Sequence, residues 1–203
     1  MGSVEVVRGI PPTGASALFA STYAAFDTLS TGTQRALEAL SARHSLPADS
    51  SESTGVSTCS WCAPLQAGSE STPATHPIVI RHPTSGRKTL FVNPTFTTSV
   101  TDMEDAAGLA LLNQLYEHSQ QPEFTVSVDW EPGTVMLWDN RAMLHYTDPT
   151  GELPLTHRVT IAGSTLRPAV SQNKSDPSLT QRAGATLAGG ILTAAMTLSL
   201  IHI

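Results

Sequence analysis

Basic residues are scarce in this chain of 203 residues: 11 Lys and Arg stand against 17 Asp and Glu, giving a net charge of -6 and a pI near 5.5. That balance excludes the clustered basic face of a nucleic-acid partner. Cysteine is almost absent, with Cys59 and Cys62 as the two in the chain. Cys59-Ser60-Trp61-Cys62 has two readings, a redox or metal clamp and a pair of ordinary loop thiols. No second pair completes a tetrahedral site, and the surrounding stretch is rich in Ser, Thr and Gly, so the second reading is preferred. No charged leader followed by an apolar core opens the sequence, so a secretory signal is not expected. Met1-Gly2 is followed by Val6 where a myristoylation start has Ser or Thr. Charged residues amount to 14% and aromatics to 5%, while apolar residues reach 40%. Such a chain is long enough for one core, and a cytoplasmic location is expected for its main body.

The apolar spacing predicts two helices, Leu18 to Asp27 and Thr33 to Ser41, around Leu29-Ser30-Thr31-Gly32. Asp49 to Thr75 reads as a polar loop. Pro77 to Asn93 reads as a β-hairpin turning at Thr84-Ser85-Gly86, and Asp102 to Ser119 as an amphipathic helix. Phe124 to Trp130 alternates apolar and polar residues, as a half-buried strand does. After the Glu131-Pro132-Gly133 turn come two further strands, Thr134 to Trp138 and Thr156 to Ile161.

Between those two strands lies the most informative stretch, Trp138-Asp139-Asn140-Arg141-Ala142-Met143-Leu144-His145-Tyr146. It sets one histidine behind a buried, aromatic-rich strand, where an imidazole can ligate a metal. Arg141 and Arg158 are the arginines near it that could hold an anion. His157 points to the other face of its strand from Arg158. His76 and His82 flank the hairpin and read as surface or hairpin residues.

Trp138 to Tyr146, followed by His157-Arg158-Val159-Thr160-Ile161-Ala162-Gly163, resembles the C-terminal part of the taurine dioxygenase (TauD/TfdA) family. The resemblance extends to His76-Pro77-Ile78-Val79-Ile80-Arg81-His82-Pro83, Gly86-Arg87-Lys88, Leu90-Phe91-Val92-Asn93 and Phe96-Thr97-Thr98. More weakly it reaches Leu40-Ser41-Ala42-Arg43-His44 and Pro12-Thr13-Gly14. It implies an α+β chain holding a partial double-stranded β-helix, or jelly roll, with flanking helices over residues 1-168. A polar linker, 169-182, and an uncharged apolar tail, 183-203, would follow. It implies Fe(II) and 2-oxoglutarate as cofactors, His145 as a metal ligand and Arg158 as the residue that binds cosubstrate. The reaction implied is hydroxylation of a small organic molecule, anionic in some members, with the oxidation supplied by iron and cosubstrate.

Three departures from the family pattern qualify that expectation. The seven histidines are His44, His76, His82, His118, His145, His157 and His202, and none has Asp or Glu two residues later. The family's His-x-Asp ligand pair therefore has no counterpart, and the chain reads as the C-terminal portion of a dioxygenase with one ligand of three. Ala17, in Gly14-Ala15-Ser16-Ala17, stands where the family has a Thr that helps hold 2-oxoglutarate. Pro154 stands where an upstream arginine would pair with the distal carboxylate. The connection from His145 to Arg158 is also short for the family, which leaves a second register in which Arg158 takes that carboxylate.

Two functions follow. One is an Fe(II)/2-oxoglutarate dioxygenase acting on a small molecule, impaired in this chain as it stands. The other is a non-catalytic remnant serving as a binding or interaction module. A half jelly roll leaves open strand edges, so self-association is expected. Ala183 to Ile203 is about long enough to cross a bilayer, but its glycines and threonines dilute it. An incidental tail is preferred to a membrane anchor.

Overall fold

A computed structural model of the chain describes residues 1–45, 73–147, 153–163 and 166–169. The Cys59/Cys62 pair, most of the polar loop, nearly all of the linker and the apolar tail lie outside the described residues.

Two three-stranded antiparallel sheets carry the site. The first has the order β11-β1-β9, with β1 (Gly2–Gly9) at its centre, β9 (Val135–Asp139) on one side and β11 (Leu155–Ile161) on the other. β1 alternates strictly: Ser3, Glu5 and Val7 are buried, while Val4 and Val6 face the other side. Val4 lies opposite both Leu137 and Val159, and these two are exposed together with Val135 and Ile161. The outer face of this sheet is thus apolar and open. The second sheet has the order β10-β2-β8, built from β10 (Met143–Thr147), β2 (Ser16–Ser21) and β8 (Thr125–Asp129). The two sheets share one small core, in which Val7 and Trp138 from the first meet Ala17 and Phe19 from the second, with Trp130.

The connection into β9 is a turn. Gly133 takes a φ of +91°, a conformation that glycine reaches without Cβ strain, and Gly133 N–H donates to Val7 O at 2.8 Å.

The remaining elements form a second, larger core. A short helix α1 (Thr22–Asp27) follows β2 directly, its N-terminus capped by the Ser21 hydroxyl, which accepts from Ala24 N–H at 3.3 Å. Helix α2 (Thr31–Glu38) is capped in the same way by Ser30. Then come β3 (Ser41–His44), β4 (Ala74–Pro77), β5 (Val79–Arg81), β6 (Lys88–Leu90) and β7 (Thr97–Val100). The long helix α3 (Asp105–Ser119) lays Leu111, Leu112 and Leu115 against Leu37, Ile78, Val79 and Leu90. A two-residue strand β12 (Arg167–Pro168) pairs with β5.

The observed elements correct several expectations. Leu18 to Ser21 is strand rather than helix, because Leu18, Phe19 and Ala20 pair with both β10 and β8, and helix begins only past the Ser21 cap. The hairpin is narrower than Pro77 to Asn93: β5 pairs with β6, while Ala74 to Pro77 pairs with β3. His145 does not lie between two strands but within one of its own, since the Asp139–Ala142 turn carries the chain from the first sheet to the second. No helix among the described residues is long and apolar enough to cross a membrane.

Candidate functional site

His145 sits in the middle of β10, directly opposite Phe19 of β2. Their rings stack at 6.0 Å between centroids, and the Trp138 ring of the other sheet lies 4.8 Å from the imidazole. Phe19 and Trp138 close the group edge-on at 5.5 Å. The imidazole therefore lies where the two sheets meet, walled by aromatic surface. Burial, followed by the nearby charge of Arg158, pushes its pKa down to about 3. It is neutral throughout the physiological range, the state in which imidazole binds metal.

Arg158 projects from β11 onto the same tryptophan. Its guanidinium carbon lies 4.6 Å from the Trp138 ring centre, and its Nη2 donates to Ser3 Oγ at 3.3 Å. Ser3 is fully buried and also receives Asn140 Nδ2 at 3.0 Å. The structure thus brings His145 and Arg158, the two sequence-predicted site residues, onto one indole.

Arg141 is committed elsewhere. Its Nε and Nη2 donate to the two oxygens of Asp139 at 2.9 Å and 2.6 Å, a bidentate pair. Burial alone would raise the Asp139 pKa, but the hydrogen bonds from Arg141 and His82 outweigh it and hold the carboxyl well below its ordinary range. His82 is buried, not a surface residue, with Nε2 2.9 Å from Asp139 Oδ2. His157 is exposed on the far face of β11. His76 stands edge-on to His44, with centroids 5.2 Å apart, and both rings pack on Phe91. Burial, and then the neighbouring His76, lower the His44 pKa to about 4.

Sequence reasoning missed β1 altogether, and with it Ser3 and Glu5. Glu5 is 6% exposed on the inward face of β1, with Arg158 as its direct partner on β11 and Met136 as its partner on β9. The strict alternation of Ser3, Glu5 and Val7 was the available signal, but a glutamate at an inward position reads as polar and hides it.

The described residues do not fit the iron centre that the family resemblance implies. No group of three or more His, Cys, Asp or Glu gathers among them, so His145 stands without a facial triad. The cosubstrate fares little better. Ala17 is 1% exposed and offers no donor beside the site, Pro154 offers no guanidinium, and Glu5 places a carboxylate beside Arg158.

Comparison with known proteins is consistent across sequence and structure. Residues 6–160 match the family described as taurine catabolism dioxygenase TauD, TfdA family. Pentalenolactone F synthase of Streptomyces avermitilis is 28% identical over 171 residues, covering 79% of this chain and 56% of that protein. The (S)-phenoxypropionate/alpha-ketoglutarate-dioxygenase of Sphingobium herbicidovorans is 32% identical over 159 residues, covering 73% of this chain and 52% of that protein. Among solved structures, a taurine dioxygenase from Burkholderia xenovorans superposes with a TM-score of 0.65 at 28% identity, covering 81% of this chain and 54% of that one. The chain spans about half the length of these relatives. On the extent of the family match, on these relatives and on the shared arrangement of strands, the chain belongs to the TauD/TfdA dioxygenase family.

Proposed function

We propose that the protein is an Fe(II)/2-oxoglutarate-dependent dioxygenase that hydroxylates a small organic substrate, and that this chain is impaired as it stands. In this reading residues 1-168 form one partial jelly-roll unit, His145 is a metal ligand and Arg158 binds the carboxylate of the cosubstrate. The observation that carries it is the arrangement around Trp138, with a neutral imidazole at 4.8 Å and a guanidinium at 4.6 Å on one ring. A cation-binding and an anion-binding side chain so placed can serve one bidentate, oxygen-rich ligand. The relatives' names mention phenoxypropionate and taurine, so carboxylate and sulfonate substrates are the classes to try. Oxygen consumption matched by succinate formation, with Fe(II) and 2-oxoglutarate supplied, tests the activity. Stoichiometric turnover by this chain alone would overturn the impairment, and its absence from the protein isolated from its native source would overturn the activity.

A second reading, a non-catalytic binding or interaction module, is favoured by one observation: His145 has no companion ligands among the described residues. The open apolar face around Val4, Leu137 and Val159 and the edges of the short sheets would then serve self-association. Sedimentation of the purified chain distinguishes the cases, since a monomer at working concentration is incompatible with this mode of assembly.

A further inference from the structure

We propose that Glu5 sets the charge selectivity of the Arg158 site, opposing an anionic ligand there and so weakening cosubstrate binding by this chain. The inference rests on the reading of Arg158 as the carboxylate-binding arginine, and it concerns a residue that no family motif covers.

The geometry starts from strand register. Glu5 and Arg158 are directly opposed across β1 and β11. Both side chains therefore leave the sheet on the same face, and their Cβ atoms are separated by about 5 Å, the ordinary spacing of a cross-strand pair. That face is the interior one, because Ser3 and Val7, two residues to either side of Glu5, are both fully buried. Arg158 leans off the Glu5–Met136 row toward Ser3 and over Trp138 of the neighbouring row. Glu5 makes no hydrogen bond or ion pair with any described residue.

Glu5, 6% exposed, stands one strand away from Arg158, where charges are screened less than at the open surface. The same proximity has a consequence for binding. A ligand carboxylate that comes to Arg158 comes next to Glu5, and two like charges a few ångströms apart in a partly desolvated interior repel strongly. Glu5 thus adds a negative charge beside Arg158 that an oxo-acid must approach. Ala17 and Pro154 stand where the family resemblance implies two donors directed at the cosubstrate.

The test is a double-mutant cycle on the intact chain, with the affinity for 2-oxoglutarate read by calorimetry in wild type, Glu5→Gln, Arg158→Gln and the double variant. Gln keeps the shape of Glu5 and removes its charge, and circular dichroism of each protein confirms the fold. Glu5→Gln is expected to tighten binding on the order of tenfold, and the gain is expected to vanish when Arg158 is also replaced. Binding that depends on Arg158 but is unchanged or weakened by Glu5→Gln would overturn the inference and leave the role of Arg158 intact. A gain that survives Arg158→Gln would overturn it too, since the effect would not run through the guanidinium. Binding indifferent to Arg158 in both backgrounds would remove the reading of Arg158 itself. No detectable binding by either wild type or Glu5→Gln would show that the carboxylate is not what limits the site.

Discussion

His82 and Asp139, 57 residues apart in sequence, meet at 2.9 Å between Nε2 and Oδ2. The bond ties the β5–β6 hairpin to the turn that carries the chain from β9 to β10. The other oxygen of Asp139 accepts from Arg141 N–H and Nε, both at 2.9 Å, so the carboxylate fixes the turn that leads into His145. His82 and Arg141 are themselves largely buried, each with a side chain 10% exposed.

Replacing Asp139 with Ala would strand both partners. A loss of about 2 kcal/mol in unfolding free energy is expected, the scale of a charge-assisted bond removed from a partly buried site. Urea denaturation of the variant against wild type measures it, and a change under about 0.5 kcal/mol, the level of an ordinary surface substitution, would mean that the turn is held by other contacts.

The pH dependence has a definite sign. His44 titrates near 4 in the folded chain against 6.5 unfolded, so the unfolded state binds more protons between those values. The stability that His44 contributes is complete above pH 6.5 and is lost as pH falls through 4. Melting temperature followed from pH 7.5 to pH 4 in wild type and His44→Phe should fall less steeply in the variant, and parallel curves would contradict the assignment.

Packing against α3 offers a contrast within one helix. Leu112 is fully buried in the larger core, whereas Leu109, three residues earlier, is 55% exposed. Leu112→Ala is expected to cost about 3 kcal/mol, and Leu109→Ala about 0.5 kcal/mol or less. Equal effects in denaturant titrations would mean that α3 is rotated from the face described.

Metal binding by this chain alone should be weak and unselective. With His145 as the site's one imidazole among the described residues, Mn(II), Fe(II) and Zn(II) compete on ordinary solution preferences. Equilibrium dialysis of each ion should give sub-stoichiometric occupancy that falls further in His145→Ala. Tight one-to-one Fe(II) binding would sink this prediction and restore a working centre.

Much of the site's surroundings is legible in the sequence. The Trp138 to Tyr146 run and the Arg158 strand carry side-chain identities that chemistry demands, and these survive in the linear sequence. The helix α3 and strands β8, β9 and β11 were legible as well, because each carries a periodic apolar pattern, although in β9 and β11 Val135, Leu137, Val159 and Ile161 lie on the exposed face. Strand β2 was misread as helix, since Leu18-Phe19-Ala20 suits either state and long-range pairing with β8 and β10 decides it.

By itself, then, the sequence determined the family, the candidate ligand His145, the candidate anion partner Arg158 and the lack of a His-x-Asp pair, all properties of residue type and local spacing. Only the tertiary structure decided that Arg141 is spent on Asp139, that His82 is interior, and that Glu5 stands opposite Arg158 on a strand with no motif of its own. The last of these is a matter of register between two segments more than a hundred residues apart, β1 and β11. A one-residue slip would turn Glu5 outward, and what fixes the register is the burial of a whole face, which no local stretch of sequence contains.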